Sequence, residues 1–497
     1  MIDIEAKKSR ICTFFTNCNY FPKNYDSANK ILISFFWYML GFENFQNKKI
    51  AILWYGKEGK SSLQFLLKIG VSPKDITILD GAEKIEKLAE NFEYLQQKFD
   101  IHSECNVMFG DMYLNKLKTF DLIIKSPGIS LYHPKIYPYR QKITSQAQIF
   151  FDYYQGKIIA VSGTKGKSTT ATLIYQTCKH AQKNIQLIGN IGNPVLDFLD
   201  IKNLESQKNE YVVFEISSYM LEGIKKKNYI SILLNIYADH IDRHDWFENY
   251  KKAKLNLLNG SEYNLLRDEI LEKNDFTKEE RKDLHIRTFG HKGNYTYQAC
   301  NFYVKKTAVF ADDSLLIKWE HNMMNIAAVL GVCDIMHIEY TILKETLTTF
   351  KGLPHRMENI WTYGGIVRID DAISTTPEST IQAIQTFGKQ VDTILLWWTD
   401  RGYVFDDLIK SIVAYGIKNV VIFPDSGKRI YEGIKKNDDW EIKIFQTNDM
   451  KEAVKFAYKH TKIDKICLLS TASPSYSLRK NFEEKGDLFQ KYIKELL

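Results

Sequence analysis

The sequence predicts an α/β protein built on parallel sheets. Short runs rich in β-branched and apolar residues recur along the chain, and each is followed by a stretch of helical character. Near-continuous apolar strands that alternate with helices are typical of parallel sheets covered on both faces. Most runs end in small or polar residues, and ligands of such sheets bind at the carboxyl ends of the strands. At 497 residues the chain is too long for a single core, so we expect several domains.

The predicted strands divide between two halves of the chain. In the first half they read KIAILWYG, DITILDG, DLIIKSPG, KIIAVSG, YVVFEISS and ISILLNIYADH. In the second half they read GIVRIDDA, TILLWWTD, NVVIFPD and KICLLSTASPS. Two stretches have the character of boundaries, SQAQIFFDYYQGK and TFKGLPHRMEN, the second of which carries the Gly and Pro of a linker. They predict three domains over residues 1–148, 149–352 and 353–497.

Composition excludes several classes of function. Apolar content of 44% and charged content of 26% are those of an ordinary globular protein. The net charge of +7 comes without a clustered basic face, so we expect no nucleic-acid partner. Seven cysteines without a CxxC pair predict free thiols in a reducing compartment. The apolar stretch at 31–40 is shorter than the ~20 residues that a membrane span requires. We therefore expect a buried helix there, no membrane span and a cytoplasmic protein.

The stretch KIIAV, SGTKGK, STTATLIYQTC predicts a phosphate-binding loop between a strand and a helix. Lys167 would neutralise phosphate oxygens, and a hydroxyl of Ser168 or Thr169 would reach magnesium. The spacing departs from the general motif because only two residues separate the two glycines, which leaves an incidental Gly–Lys turn as the alternative. The predicted loop residues are Gly163, Thr164, Lys165, Gly166, Lys167, Ser168 and Thr169.

Three downstream features favour the phosphate interpretation. Glu215 stands at a predicted strand end, a position suited to a hard-cation ligand, although an acidic residue near a helix start is the plainer interpretation. His240 and His244 have the spacing of a metal-binding helix, but no third zinc ligand accompanies them. Lys254 lies in a predicted helix whose apolar neighbours would partly bury it, whereas most such lysines extend to the surface.

Taken together, the motifs resemble those of the Mur ligase family, ATP-dependent amide-forming enzymes of peptidoglycan synthesis. They are GTKGKSTT, GNIGNP, FEISSYMLE, DHIDRH, KKAKL, HNMMNIAAV, GLPHRME and DDAISTTPEST, in the family's order over roughly residues 48 to 490. The resemblance implies an N-terminal Rossmann-like domain for the UDP substrate, a central P-loop ATPase-type domain and a C-terminal Rossmann-like domain for the amino acid. It is greatest for the branch that adds glutamate to UDP-N-acetylmuramoyl-L-alanine.

The resemblance also implies a mechanism and its cofactors. ATP would phosphorylate the substrate carboxylate, and the amine of glutamate would attack the acyl phosphate. Lys167 would bind the phosphates, Ser168 and Glu215 would hold one Mg²⁺, and His240 would help to hold a second. Lys254 would be the lysine that family members carbamylate, and its carbamate would be an anionic metal ligand.

Further positions take their predicted roles from the same match. Those for the nucleotide are Asn322, Arg356 and Asp371, and those for the muramoyl group are Asn190 and Ser217. Those for the UDP end are Gly56 and Gly59 in a glycine turn, with Asp80 and Ser126. Those for glutamate are Thr375, Arg401, Ser475 and Phe482.

The motif DDAISTTP departs from the pattern usual in the D-glutamate branch, which has lysine and asparagine where Ile373 and Thr376 stand. Arg401 likewise stands where that branch has a lysine, and Lys165 where it commonly has an asparagine. We expect D-glutamate as the family's default, with L-glutamate as the alternative. A non-catalytic UDP-sugar-binding scaffold and a folylpolyglutamate synthase are more distant alternatives. We also expect a monomer, and residues 1–45 have no counterpart in the family.

Overall fold

The computed structural model forms two compact units, the first ending at Phe350 and the second beginning at Lys351. The residues that the structure describes are 41–81, 105–110, 112–190, 193–201, 203–225, 227–237, 241–274, 276–317, 319–397, 404–423, 427–436, 441–472 and 482–496. The apolar stretch at 31–40 lies outside them. Within these ranges no helix combines the length and apolar character needed to cross a membrane.

The first unit begins with a five-stranded parallel sheet in the order β3-β2-β1-β4-β5. Its strands are β1 (Ile50–Leu53), β2 (Ile76–Asp80), β3 (Asn106–Phe109), β4 (Leu122–Lys125) and β5 (Ile143–Thr144). Helix α1 (Lys57–Lys68) follows β1, and α2 (Gln146–Tyr153) follows β5. From β1 the chain moves to β2 and β3 on one side and then returns to β4 on the other. The carboxyl ends of β1 and β4 therefore form a topological switch point, where ligands of open α/β sheets bind.

A nine-stranded sheet follows in the order β14-β13-β12-β11-β10-β9-β6-β8-β7. Its strands are β6 (Lys157–Ser162), β7 (Ile185–Gly189), β8 (Tyr211–Glu215), β9 (Asn228–Leu233), β10 (Ser261–Arg267), β11 (Ile286–Gly290), β12 (Tyr295–Gln298), β13 (Asn301–Val304) and β14 (Thr307–Ala311). The prediction of parallel pairing is confirmed from β7 to β12 and is wrong for the β12–β13–β14 edge, which is antiparallel. The two turns of that edge, 299–300 and 305–306, have two residues each, which is the length of a tight β-hairpin connection.

The remaining helices of the first unit are α3 (Lys167–His180), α4 (Ser218–Leu221), α5 (Ile241–His244), α6 (Phe247–Leu255), α7 (Asp268–Lys273), α8 (Lys278–Asp283), α9 (Glu320–Met336) and α10 (Tyr340–Thr349). Alternate residues of β6 face opposite cores. Ile158 packs into the core shared with the first sheet, and Ile159 packs into the core around α9. This strand is covered on both faces, which explains its continuous apolar sequence.

The second unit carries a six-stranded sheet in the order β15-β16-β20-β17-β18-β19. Its strands are β15 (Glu358–Tyr363), β16 (Ile366–Asp371), β17 (Val391–Trp397), β18 (Asn419–Ile422), β19 (Lys443–Gln446) and β20 (Ile466–Ala472). Its helices are α11 (Pro377–Phe387), α12 (Asp406–Ala414), α13 (Gly427–Lys435), α14 (Met450–His460) and α15 (Phe482–Glu495). Strands β15 and β16 form an antiparallel hairpin that turns at two glycines with positive φ, and the other pairs are parallel.

Candidate functional site

The predicted phosphate loop forms a tight turn between β6 and α3. Gly166 caps α3 in a left-handed conformation, with φ of 83°. A Cβ at this position would lie 2.5 Å from Asn325 Oδ1 of α9, so the position requires glycine for two reasons. The Nζ of Lys167 donates to the carbonyls of Gly163 and Thr164, each at 3.0 Å. The lysine charge therefore lies inside the curve of the loop, beside the first amides of the helix.

A segment that follows β9 holds the loop in place. Asn235 accepts from the Lys165 N–H at 2.8 Å and donates to the Lys165 carbonyl at 3.1 Å. The Thr164 hydroxyl lies 2.7 Å from the Tyr250 hydroxyl of α6 and accepts from the Tyr237 N–H. Both hydrogen bonds of Asn235 are made with backbone atoms of Lys165, so they do not require a lysine at position 165.

Glu215 lies beside the start of the loop because β8 pairs with β6, with Val161 opposite Glu215. Its side chain is fully buried. One carboxylate oxygen accepts from Asn190 Nδ2 at 3.3 Å, while Oε2 is buried without a hydrogen-bond donor among the described residues. An unsatisfied buried carboxylate oxygen next to a phosphate loop suits a hard cation such as Mg²⁺. Ser168, which is also buried, lies at the start of α3, the helix that follows the neighbouring strand β6.

Lys254 is only 1% exposed, much more deeply buried than its helical pattern predicted. Its Nζ lies 4.8 Å from the ring centroid of Tyr250, whose hydroxyl meets the phosphate loop. Helix α6 therefore connects the buried amine to Thr164 through one aromatic side chain. A lysine held in this way is unusual for a structural surface residue.

Of the two histidines four residues apart, only His244 lies within the described residues. His244 is fully buried, with Nε2 3.0 Å from Ser218 Oγ and Nδ1 2.9 Å from a carboxylate oxygen of Glu222. Its ring also stacks on Tyr219. These contacts give His244 a packing role that joins α5 to α4. Ser217 caps α4 by accepting from the Met220 N–H. His240 lies outside the described residues, so its metal role stays a prediction.

The first sheet gathers the residues predicted for the UDP end at its carboxyl edge. Gly56 caps α1, and a Cβ on Gly59 would lie 2.3 Å from the Trp54 carbonyl. The Asp80 carboxylate accepts from the Tyr55 N–H at 2.8 Å, and the Ser126 hydroxyl donates to the Trp54 carbonyl at 3.2 Å. All four positions therefore meet around the switch point of β1 and β4.

A buried charged cluster links this edge to the second sheet. The Nζ of Lys125 donates to the Ile129 carbonyl at 2.7 Å, and Arg243 of α5 donates to the Pro127 carbonyl at 2.7 Å. Burial lowers the pKa of Lys125 to about 8, against the opposing charge of Glu222. Burial disfavours the charged form of Glu58 as well, which raises the pKa of this carboxyl to about 7. Cations from both sheets thus hold the turn after β4.

In the second unit, the motif residues around β16 form their own network. Asp371 is fully buried and accepts from Ser470 Oγ at 2.9 Å and from the Met357 N–H at 3.2 Å. Burial raises its pKa to about 6, while these hydrogen bonds and the nearby charge of Arg356 oppose the rise. Arg356 Nε is buried without a hydrogen-bond partner among the described residues. A guanidinium with a free donor is suited to an anionic ligand.

The residue before Arg356 is fixed by the strand that carries Asp371. His355 Nδ1 lies 2.8 Å from Asp370 Oδ2, and Gln490 donates to both Asp370 and Glu358. The three groups His355, Glu358 and Asp370 are close enough to hold a metal ion. However, the Gln490 amide and the His355 ring already satisfy the facing carboxylate oxygens, so the cluster needs no ion. The stretch GLPHRME therefore includes a packed element as well as a linker.

The positions predicted for glutamate are described only in part. Thr375 is half-buried in the turn after β16, and Phe482 begins α15 with its ring 6.4 Å from that of His355. Thr376 caps α11 through a reciprocal pair of hydrogen bonds with Ser379. Arg401 and Ser475 lie outside the described residues.

Comparison with known proteins assigns the chain to a family. A family model described as the Mur ligase middle domain matches residues 161–333, and one described as the Mur ligase MurD-like N-terminal domain matches residues 48–145. Together they cover more than half of the chain. UDP-N-acetylmuramoylalanine--D-glutamate ligase from Buchnera aphidicola subsp. Schizaphis graminum is 30% identical over 465 residues, which are 91% of this chain and 99% of that protein. This chain belongs to the Mur ligase family.

Further relatives agree with that assignment. The enzyme of the same name from Acetivibrio thermocellus is 28% identical over 481 residues, covering 91% of this chain and 97% of the relative. Among solved structures, UDP-N-acetylmuramate-alanine ligase MurC from Thermotoga maritima gives a TM-score of 0.54 at 20% identity, covering 91% of this chain and all of that one. MurF ligase from Thermotoga maritima in complex with ADP gives 0.51 at 15% identity, covering 92% and 97%. These two structures share the Mur ligase fold.

Several residues that build this Mur ligase site were not predicted from the sequence. Asn235 and Tyr250 hold the phosphate loop, and Asn325 packs on Gly166 one helical turn after the predicted Asn322. Asn235 could have been found, because it is a polar residue just after a buried strand. Asn325 could have been found from its i,i+3 spacing to Asn322.

Proposed function

We propose that this Mur ligase joins D-glutamate to UDP-N-acetylmuramoyl-L-alanine while ATP is converted to ADP and phosphate. The observation that carries the proposal is the phosphate loop set between two buried groups, Glu215 with an unsatisfied oxygen and Lys254 behind Tyr250. A phosphate site alone would suit many ATPases. The relatives that span nine tenths of the chain are named as D-glutamate ligases, which supports this substrate pair.

In the proposed reaction, the γ-phosphoryl group passes to the carboxylate of the alanyl substrate, and the glutamate amine displaces phosphate. The loop amides and Lys167 bind the phosphates. The contacts of Asn235 and Tyr250 with the loop keep its amides in one geometry. Glu215 and Ser168 are the groups that would hold Mg²⁺. The ion, when bound, would neutralise charge on the transferring phosphoryl group.

Lys254 is proposed to carry a carbamate that provides an anionic ligand for a second Mg²⁺, together with His240. The support is its burial behind Tyr250, since a lysine without a functional role usually extends its ammonium group to the surface. Asn190 is proposed to serve both the muramoyl group and Glu215, because its amide already holds the carboxylate. Ser217 would contribute to the same substrate from the cap of α4.

The second unit is proposed to supply Arg356 and Asp371 to the nucleotide, and Thr375, Arg401, Ser475 and Phe482 to glutamate. The free Nε of Arg356 supports the first assignment.

Thr376 bears on the choice of D-glutamate over L-glutamate. Its role as the cap of α11 gives a structural reason for a threonine there, so the motif DDAISTTP does not by itself indicate the other stereoisomer.

The test is phosphate release by the purified protein with ATP, Mg²⁺ and UDP-N-acetylmuramoyl-L-alanine, with D-glutamate or L-glutamate added in parallel. We expect release with D-glutamate alone. Release with L-glutamate alone would assign the protein to the other branch. If neither amino acid led to phosphate release, a non-catalytic role would be favoured. Lys179→Ala, at an exposed lysine in the last turn of α3, is a control for Lys167→Ala, because only the second removes the lysine charge that lies inside the loop.

A further inference from the structure

Trp54 is an exposed aromatic residue at the switch point of the first sheet. It directly follows β1, its side chain is 45% exposed, and its φ is +79°. A bulky residue in the left-handed region is a backbone outlier. Strain of this kind persists where the surrounding structure fixes the backbone, and it gathers at ligand sites.

Contacts on several sides fix the backbone of Trp54. Its N–H donates to the Leu79 carbonyl of β2 at 2.8 Å, and its carbonyl accepts from the Ser126 hydroxyl after β4 at 3.2 Å. The same carbonyl leaves no room for a side chain on Gly59. The strained conformation is thus imposed by both neighbouring strands and by α1.

The indole lies between two glycine turns. A Cβ on Gly128, in the turn after β4, would lie 3.1 Å from the six-membered ring, and one on Gly56 would lie 3.8 Å from the five-membered ring. The absence of side chains at both positions lets the indole rest on the turn while its remaining surface faces solvent. Gly56 also opens α1, a helix of 12 residues whose first amides face the same edge.

We propose that the indole of Trp54 is the stacking surface for the uracil ring of the UDP substrate. This inference rests on the proposed function, and it adds the residue that would recognise the base. A planar aromatic side chain beside a helix start and a glycine turn fits a nucleoside diphosphate, with the base on the ring and the phosphates toward Gly56. Stacking uses the π face of the base, so it requires no further polar group at this position.

The test compares Trp54→Ala and Trp54→Phe with Trp361→Ala as a matched control. Trp361 is 44% exposed, but it lies in the middle of strand β15, in the second unit. Isothermal titration would measure Kd for UDP, for dihydrouridine diphosphate, whose base is not planar, and for inorganic pyrophosphate. We expect Trp54→Ala to raise the Kd for UDP about tenfold, with pyrophosphate unchanged. The Kd of Trp54→Phe for UDP should stay within about threefold of the wild-type value. The Kd of Trp361→Ala for UDP should equal the wild-type value.

The wild-type protein provides a test that needs no variant. It should bind UDP more tightly than dihydrouridine diphosphate, and Trp54→Ala should abolish that preference. Equal binding of the two by the wild type would overturn the proposal, as would Trp54→Ala losing UDP and pyrophosphate to the same degree. If Trp54-dependent UDP binding occurs without ligation of glutamate, the proposed function fails while this inference holds.

Discussion

Gly166 is the residue on which the geometry of the phosphate loop most depends. It combines a left-handed backbone with a close approach to Asn325, which would have to shift to admit a methyl group. We expect Gly166→Ala to destabilise the first unit by about 2 kcal/mol or more, because backbone strain adds to the clash with Asn325. Thermal unfolding and ATP binding would measure both effects.

Gly110→Ala is the matched control for that change. Gly110 has φ of 78°, but a Cβ there would meet nothing within 4 Å. It should show the strain alone, about 1 kcal/mol, with ATP binding unchanged. Equal effects of the two substitutions on stability and ATP binding would contradict the account of the loop.

Lys254 is the residue that most distinguishes this site from an ordinary ATPase. We expect Lys254→Ala to abolish ligation, because the proposed carbamate and its charge are lost, and added short carboxylic acids to restore part of the rate. Phosphate release with and without acetate would measure this. Lys252→Ala, an exposed lysine in the same helix, should leave the rate unchanged. Undiminished activity of Lys254→Ala would contradict the carbamate proposal.

At the scale of elements, β16 and α15 together fix the segment that carries Arg356. Asp370 raises the pKa of His355 above its ordinary value of 6.5, mainly through their hydrogen bond. Because the folded state binds this proton more tightly than the unfolded chain, the stabilisation is complete below pH 6.5 and is lost as pH rises through the folded value. The contribution of this pair to the stability of the second unit should therefore fall on the alkaline side.

The pH profile of His355→Ala tests this interaction. Hydrogen exchange of β16 and β20, followed by mass spectrometry between about pH 6 and 8.5, should show protection that falls with pH in the wild type. The variant should lack that slope. His133→Ala, an exposed histidine of the first unit, should keep it. A wild-type slope retained in His355→Ala would show that another group titrates.

Elements differ in how far the sequence could predict them. The apolar strands and the helix after the phosphate loop were predictable, since period and glycine placement are local signals. The antiparallel edge from β12 to β14 was not, because short polar strands depend on their neighbours for stability. The burial of Lys254 was underestimated, because a lysine in an amphipathic helix reveals nothing of what packs over it.

At the scale of the whole molecule, two of the sites lie at the switch points of their sheets, where ligands of open α/β sheets bind. In the first sheet the switch point lies between β1 and β4, and in the second it lies between β6 and β9. Trp54 and Ser126 stand at the first, and the phosphate loop and Asn235 at the second. The sequence predicted strand ends as the place for chemistry. It could not predict which ends are adjacent, because strand order is set by long-range packing. The domain limits, the monomeric state and the cytoplasmic location stay predictions.

The central claim is that the substrate carboxylate accepts the γ-phosphoryl group of ATP. The most direct test is ligation with UDP-N-acetylmuramoyl-L-alanine whose alanyl carboxylate carries oxygen-18 at both oxygens. Attack of the D-glutamate amine on an acyl phosphate leaves one carboxylate oxygen on the released phosphate. We predict that mass spectrometry will find one oxygen-18 atom per phosphate, in step with the amide product. Phosphate released without the label would show that water accepts the phosphoryl group, and would contradict the account.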